Sequence, residues 1–164
     1  MSVKKTMNAI RQKMRPIKLP TGEKTSVSTQ FGALCYRVRN GKVQLLLVTS
    51  RGTGRWLVPK GGPKDGVTPY QAALEEAWEE AGVKGKVTGN PVGIYSYVKG
   101  RDNLEDIPCI VVVFPIKVSS LKSEYPEVDQ RKRKWFSPKK AAEHLSDPEL
   151  KHLVLGFDPR ATPR

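Results

Sequence analysis

A glycine-rich loop, Lys60-Gly61-Gly62-Pro63-Lys64-Asp65-Gly66, runs directly into a segment that can be little other than a helix. Thr68 is a capping residue, Pro69 suits the first turn, and Gln71, three residues after Thr68, completes a capping box. Gly82 supplies the left-handed stop. On a wheel of about 100° per residue, Glu76, Glu79 and Glu80 fall within an arc of about 100°. Tyr70, Ala73, Leu74, Ala77, Trp78 and Ala81 fill most of the opposite side. The spacing predicts one face packed on a sheet and another presenting three carboxylates at i, i+3 and i+4, with Glu75 beside Glu79.

Such a face needs a reason. Like charges at i,i+4 destabilise a helix by roughly 0.2–0.5 kcal/mol a pair, and acids this far from the N-terminus gain nothing from the helix dipole. Glu80 alone has a basic i+4 residue, Lys84, and it lies beyond the helix stop. The chain as a whole carries a formal charge of +13, so the acids are concentrated against the trend. Mg²⁺ takes a few carboxylates plus water and substrate phosphate, and these glutamates offer that set, which Mn²⁺ also accepts. The glycine loop lets backbone approach a metal or phosphate closely. Arg51, Arg55, Lys60 and Lys64 flank the same place. Carboxylate-held metal beside a basic rim is the equipment for activating water against a diphosphate.

The remaining chain reads as a mixed sheet with helices packed on it. Gln30–Arg39 and Val43–Ser50 are predicted strands joined by Asn40-Gly41, a strong hairpin signal. Leu45-Leu46-Leu47-Val48 is apolar on both faces, as a doubly covered central strand is. Further strands are expected at Arg55–Pro59, Val92–Lys99, Cys109–Val118 and Trp135-Phe136, with a polar turn at Gly100-Arg101-Asp102-Asn103. Ser137-Pro138 and Asp147-Pro148 open two helices, running to about Leu145 and Gly156. Residues 1–26 form a basic extension expected to be mobile, 27–157 one domain, and 158–164 a tail. For the extension, a solvated tail, an anion-binding arm and a targeting segment all fit.

Cys35 and Cys109 lie in apolar strand-like segments and read as buried thiols, without disulfide or zinc spacing. The chain has no apolar run of the roughly 18 residues a membrane span needs, and a cytoplasmic location is expected. The positive charge fits a small polyphosphate, nucleic acid or an anionic surface. The run Arg131–Lys134 lacks the interleaved aromatics of a single-strand RNA surface, so RNA is the less favoured partner. His144 and His152 have no ligand-spaced neighbours.

The stretch Gly61-(x5)-Val67-(x7)-Glu75-Glu76-Ala77-Trp78-Glu79-Glu80-Ala81-Gly82-Val83 resembles the Nudix box, Gly-x5-Glu-x7-Arg-Glu-U-x-Glu-Glu-x-Gly-U, in which U is a bulky apolar residue. Arg55–Gly62 is similar to that family's approach to the box, and Trp135–Ala142 to its closing strand and helix. The resemblance implies an α/β (α+β) fold, a Nudix-type α/β/α sandwich with a mixed sheet and a loop-helix-loop. Within the superfamily the chain looks most like the diphosphoinositol polyphosphate phosphohydrolases and their bacterial relatives, whose members also cleave diadenosine polyphosphates. It implies metals on Glu76, Glu79, Glu80 and the Gly61 carbonyl, with Glu76 or Glu80 as the base. Arg51, Arg55, Lys60, Gly62, Lys99 and Arg133 are the candidates for holding substrate phosphates. The alternative readings are an RNA 5′-pyrophosphohydrolase and a non-catalytic binding module. Two positions depart from the box: Val67 stands for its first glutamate, and Glu75 for the arginine that orients the neighbouring glutamates. Ala77 also stands where a larger apolar residue is usual.

Overall fold

The computed structural model describes residues 27–101 and 104–160, so the basic extension and the last four residues lie outside the described residues, as do Asp102 and Asn103 of the expected turn. Eleven elements follow in order: β1 (Ser28–Arg39), β2 (Lys42–Thr49), β3 (Trp56–Leu57), β4 (Lys60–Gly61), α1 (Pro69–Ala81), β5 (Val83–Val87), β6 (Gly93–Arg101), β7 (Leu104–Leu121), β8 (Arg133–Phe136), α2 (Pro138–His144) and α3 (Pro148–Gly156). The strands form one sheet along the path β3-β2-β1-β7-β5, with β4 on β1, β6 on β7 and β8 on β2. β1 and β7 run parallel, Phe31 opposite Val112, and the other pairs are antiparallel. The sheet is therefore mixed, as expected.

Asn40 and Gly41 both hold positive φ, 53° and 74°, which gives the β1–β2 hairpin the twist its strands require. Leu45, Leu46, Leu47 and Val48 are buried on both faces of β2. One core packs α1 against Phe31, Ala33, Leu46 and Val112; the other packs α2 and α3 against Leu34, Leu45, Leu47 and Val113. Helices on both sides of the sheet make the α/β/α sandwich. Ala72, Ala73, Ala77 and Ala81 are fully buried, a stripe of small side chains that brings α1 close to the sheet. Ala77 thus keeps the helix close, while Trp78 packs outward beside Tyr125 (ring centroids 6.5 Å) and under the Lys84 ammonium (3.9 Å from its ring).

Two strands were not anticipated. Val83–Val87 alternates Val, Lys, Gly, Lys, Val, too short and too interrupted a pattern to stand out, and it is the pairing with β7 that makes it β5. Lys60–Gly61, expected as loop, pairs with Phe31–Gly32 of β1. That pairing anchors the glycine loop to the sheet beside α1.

Candidate active site

The capping box on α1 forms: Thr68 Oγ1 accepts from the Gln71 amide at 3.4 Å, and Gln71 Oε1 accepts from the Thr68 amide at 3.1 Å. At the other end, Gly82 adopts φ 66°. The last carbonyls of α1 find partners outside the helix. Glu79 O accepts from the Glu127 amide, Gly82 O from the Lys122 amide, and Ala81 O from Arg133 Nη1 at 2.7 Å. The β7–β8 connection is thereby docked on the C-terminal half of α1, and Arg133 supplies the cation that the last turn of α1 lacks.

The glutamates divide differently from the helical wheel. Glu76 and Glu80, expected on an open face, are buried at 8% and 3% exposure, while Glu75 and Glu79 remain more open. Burial is tolerated because β4 and a distant arginine partner these acids. Glu80 Oε2 accepts from the Lys60 amide at 3.0 Å, and Glu80 Oε1 lies 3.3 Å from Arg131 Nη2. Arg131 is itself fixed by Glu127 Oε1 (3.3 Å) and the Thr49 carbonyl (3.1 Å). Gly61 faces Glu76 so closely that any Cβ would overlap that carboxylate. Only glycine lets the β4 backbone sit there.

Lys64 occupies the centre of the outer face. Its ammonium lies 3.0 Å from Glu75 Oε2, 3.1 Å from Glu76 Oε1 and 3.4 Å from Glu79 Oε1. Desolvation opposes its charge, but hydrogen bonds to Glu75 and Glu76 and the field of Glu76 and Glu79 outweigh it and raise the ammonium's pKa. Burial raises Glu80 to about 8, with Arg131 pulling downward and a hydrogen bond and repulsion from Glu76 adding to the rise. Among the described residues no three His, Cys, Asp or Glu side chains already stand as a ligand cluster. The glutamate oxygens converge on a cation nonetheless, the Lys64 nitrogen, and hard carboxylate oxygens of this kind fit Mg²⁺ or Mn²⁺. Glu76, Glu79 and Glu80, with the backbone at Gly61, are the groups that would hold it.

Among the cationic candidates, Lys60 and Arg55 line a cavity of about 240 Å³ together with Trp56, Tyr97 and Asp147. The Lys60 ammonium lies 4.9 Å from the Tyr97 ring centroid, and burial lowers its pKa, with Glu80 opposing. Arg51 is exposed at the edge of the site, bonded to Gln130 at 3.2 Å and 3.5 Å from Glu127. Gly62 faces open space. The structure places the other two elsewhere. Arg133 is engaged at the end of α1, with its guanidinium 4.9 Å from the Tyr125 ring centroid. Lys99 follows the cavity residue Val98 on β6, so strand alternation turns it from the cavity. Arg131 and Lys64 are the partners that sequence reasoning did not assign to particular glutamates. Arg131 lies in a basic run whose strand register alone reveals it. Lys64 lies in the loop, eleven positions before Glu75.

A family profile described as NUDIX domain matches residues 28–156. The chain belongs to the NUDIX family. The match covers the sheet, the glutamate helix and both helices of the opposite face. Among relatives of this NUDIX chain, mouse diphosphoinositol polyphosphate phosphohydrolase 3-alpha is 31% identical over 155 residues, covering 90% of each chain. Nudix hydrolase 13, mitochondrial, of Arabidopsis thaliana is 34% identical over 107 residues, 62% of this chain and 53% of the relative. The matched region thus spans about half the length of that plant protein. Ap4A hydrolase of C. elegans has a similar fold, with TM-score 0.58 at 19% identity, over 79% of this chain and 95% of that one. A NUDIX hydrolase from Nitrosomonas europaea aligns with TM-score 0.62 at 20% identity, over 79% and 87%. Among the described residues no helix of the NUDIX domain is long and apolar enough to cross a membrane.

Proposed function

We propose that this NUDIX chain is a Mg²⁺-dependent pyrophosphohydrolase that cleaves a phosphoanhydride bond in a highly phosphorylated small molecule, a diphosphoinositol polyphosphate or a diadenosine polyphosphate. The observation that carries the proposal is the convergence of Glu75, Glu76 and Glu79 on one cation, with Glu80 buried behind them against β4. A bound divalent metal supplies charge neutralisation for the diphosphate and a more acidic water.

The chain's own groups do the rest. Glu76 and Glu79 offer oxygens at the open side of α1, and the Lys60 amide and Arg131 hold Glu80 in one orientation. Glu76 or Glu80 takes the proton from the attacking water, both being carboxylates fixed in position. Arg55, Lys60 and Arg51 are cations able to hold phosphate oxygens, so that charge developing on the leaving group meets donors already in place. The names of the relatives support both substrate classes, diphosphoinositol polyphosphates for one and Ap4A for the other.

The test is product analysis by phosphorus NMR after incubation with Mg²⁺ and a diphosphoinositol polyphosphate, diadenosine tetraphosphate or triphosphate-ended RNA. Expected are new phosphate or nucleotide signals with at least one of the first two, absent when EDTA replaces Mg²⁺. Turnover confined to RNA would move the assignment to RNA 5′ ends, and turnover of none would make the chain a binding module.

A further inference from the structure

The cavity beside Lys60 is not used by the glutamates, yet it has definite walls. Trp56 is held edge-on against Phe136, with ring centroids 5.1 Å apart and planes at 77°. Tyr97 is fixed by a 2.7 Å hydrogen bond from its hydroxyl to Gln30. On the far side Ser96 anchors α3, its amide and hydroxyl donating to Glu149 Oε1 at 3.0 and 2.7 Å. That contact brings the start of α3 against β6.

Asp147 occupies the N-cap of α3, where an aspartate normally accepts a backbone amide of the first turn. It makes no such side-chain bond and lines the cavity instead. Burial raises its pKa, while Lys60 and Arg55 act in the opposite direction. The cavity therefore combines an indole wall, two cations and one carboxylate acceptor released from its usual local role.

We infer that this cavity receives a nucleobase carrying an exocyclic amino group, Asp147 accepting from the amine and Trp56 giving a stacking face. The inference rests on the pyrophosphohydrolase reading and narrows its substrate to a nucleoside polyphosphate. Size agrees: 240 Å³ falls below the roughly 300–1,000 Å³ of sites that enclose a whole drug-sized ligand, so the cavity suits one ring system. Charge agrees too. An inositol ring bearing phosphates all round would set one against the Asp147 carboxylate and others against Trp56 and Leu57, a like-charge and desolvation conflict. A base leaves its phosphates to extend past Arg55 and Lys60. The Lys60 amide is already bonded to Glu80, so the chain of phosphates from the cavity leads to the glutamate helix.

The test is equilibrium binding, with Mg²⁺, of methylene-bridged triphosphates of adenosine, inosine, cytidine and uridine, beside tripolyphosphate and inositol hexakisphosphate. Adenosine and cytidine analogues are expected to bind about tenfold more tightly than inosine and uridine, the worth of one hydrogen bond to a charged group. Asp147→Ala removes that preference, and Asp147→Asn, which keeps an acceptor, retains part of it. Trp56→Leu weakens all four nucleotides about tenfold, as loss of a stacking partner does, and leaves tripolyphosphate unchanged. Equal binding of amino and oxo bases by the unmodified chain, or inositol hexakisphosphate binding as tightly as the adenosine analogue, overturns the inference. Binding is scored without turnover, so the two readings fail separately. Base preference without hydrolysis removes the enzyme reading, and hydrolysis of a diphosphoinositol polyphosphate without base preference removes only the nucleobase site.

Discussion

Lys64 and Glu75 stand 3.0 Å apart, the shortest of the three contacts that the ammonium makes with the helix. Glu75 takes the place of the box arginine, and Lys64, reaching in from the loop, supplies a positive charge to the same cluster from the opposite side. The departure is thus a relocation of charge: the cation has moved from the helix to the loop, and the acid on the helix anchors it.

Removing that cation should have opposite effects on the empty and the metal-loaded protein. Lys64→Met leaves Glu75, Glu76 and Glu79 to repel one another, and in EDTA the melting temperature should fall by about 2 °C, a partly exposed pair contributing at most about 1 kcal/mol. Mn²⁺ affinity measured by calorimetry should rise, since the ammonium no longer shares the carboxylates. Unchanged or weaker Mn²⁺ binding would show that Lys64 is only a surface charge.

Glu75→Arg introduces a second cation beside Lys64 and should weaken Mn²⁺ binding severalfold. Combined with Lys64→Met it restores the ordinary box arrangement, so the double variant should bind Mn²⁺ more tightly than Glu75→Arg alone. Additive single effects in this cycle would deny the coupling.

Arg131 is the partner of Glu80 inside the fold, its side chain 11% exposed. Arg131→Met strips one side of a buried ion pair, which ordinarily costs about 3–5 kcal/mol. Glu80 can take up a proton instead, so about 2 kcal/mol and a melting point lower by about 4–8 °C are expected. Denaturant unfolding without metal checks this.

The raised pKa of Glu80 gives a pH signature for the metal-free protein. A carboxyl that titrates near 8 when folded, against 4.5 when free, adds stability below pH 4.5 that is lost as pH rises through 8. Glu80→Gln has no such charge to bury. In EDTA the variant should therefore gain melting temperature relative to the unmodified chain between pH 5 and pH 8.5. A difference that stays constant across that range would place the Glu80 pKa at its ordinary value.

Much of this site was legible because its signals are local. The Thr68–Gln71 cap, Gly82 and the glutamate spacing are fixed by neighbours along the chain, and the helix forms at Pro69–Ala81 as read. What escaped depends on pairing across the chain. Val83–Val87 becomes a strand only on β7, and Lys60–Gly61 only on β1. The wheel put Glu76 and Glu80 on an open face because it sees one helix. β4 and Arg131 cover that face from elsewhere in the fold. Arg133, a phosphate candidate by sequence, lies two residues beyond Arg131, yet one reaches Glu80 and the other the end of α1. A run of four basic residues does not disclose that division.

The most direct test of the glutamate helix as a hydrolytic metal centre is the initial rate on diadenosine tetraphosphate and on a diphosphoinositol polyphosphate, with Mg²⁺ titrated, for the unmodified chain, Glu79→Gln and Glu80→Gln. A working centre gives Mg²⁺-dependent release for the unmodified chain and a loss of about 10²-fold or more in each variant, with substrate binding retained, the scale on which a group acting in the transition state is felt. Equal rates in all three proteins, or no Mg²⁺ dependence, would contradict it.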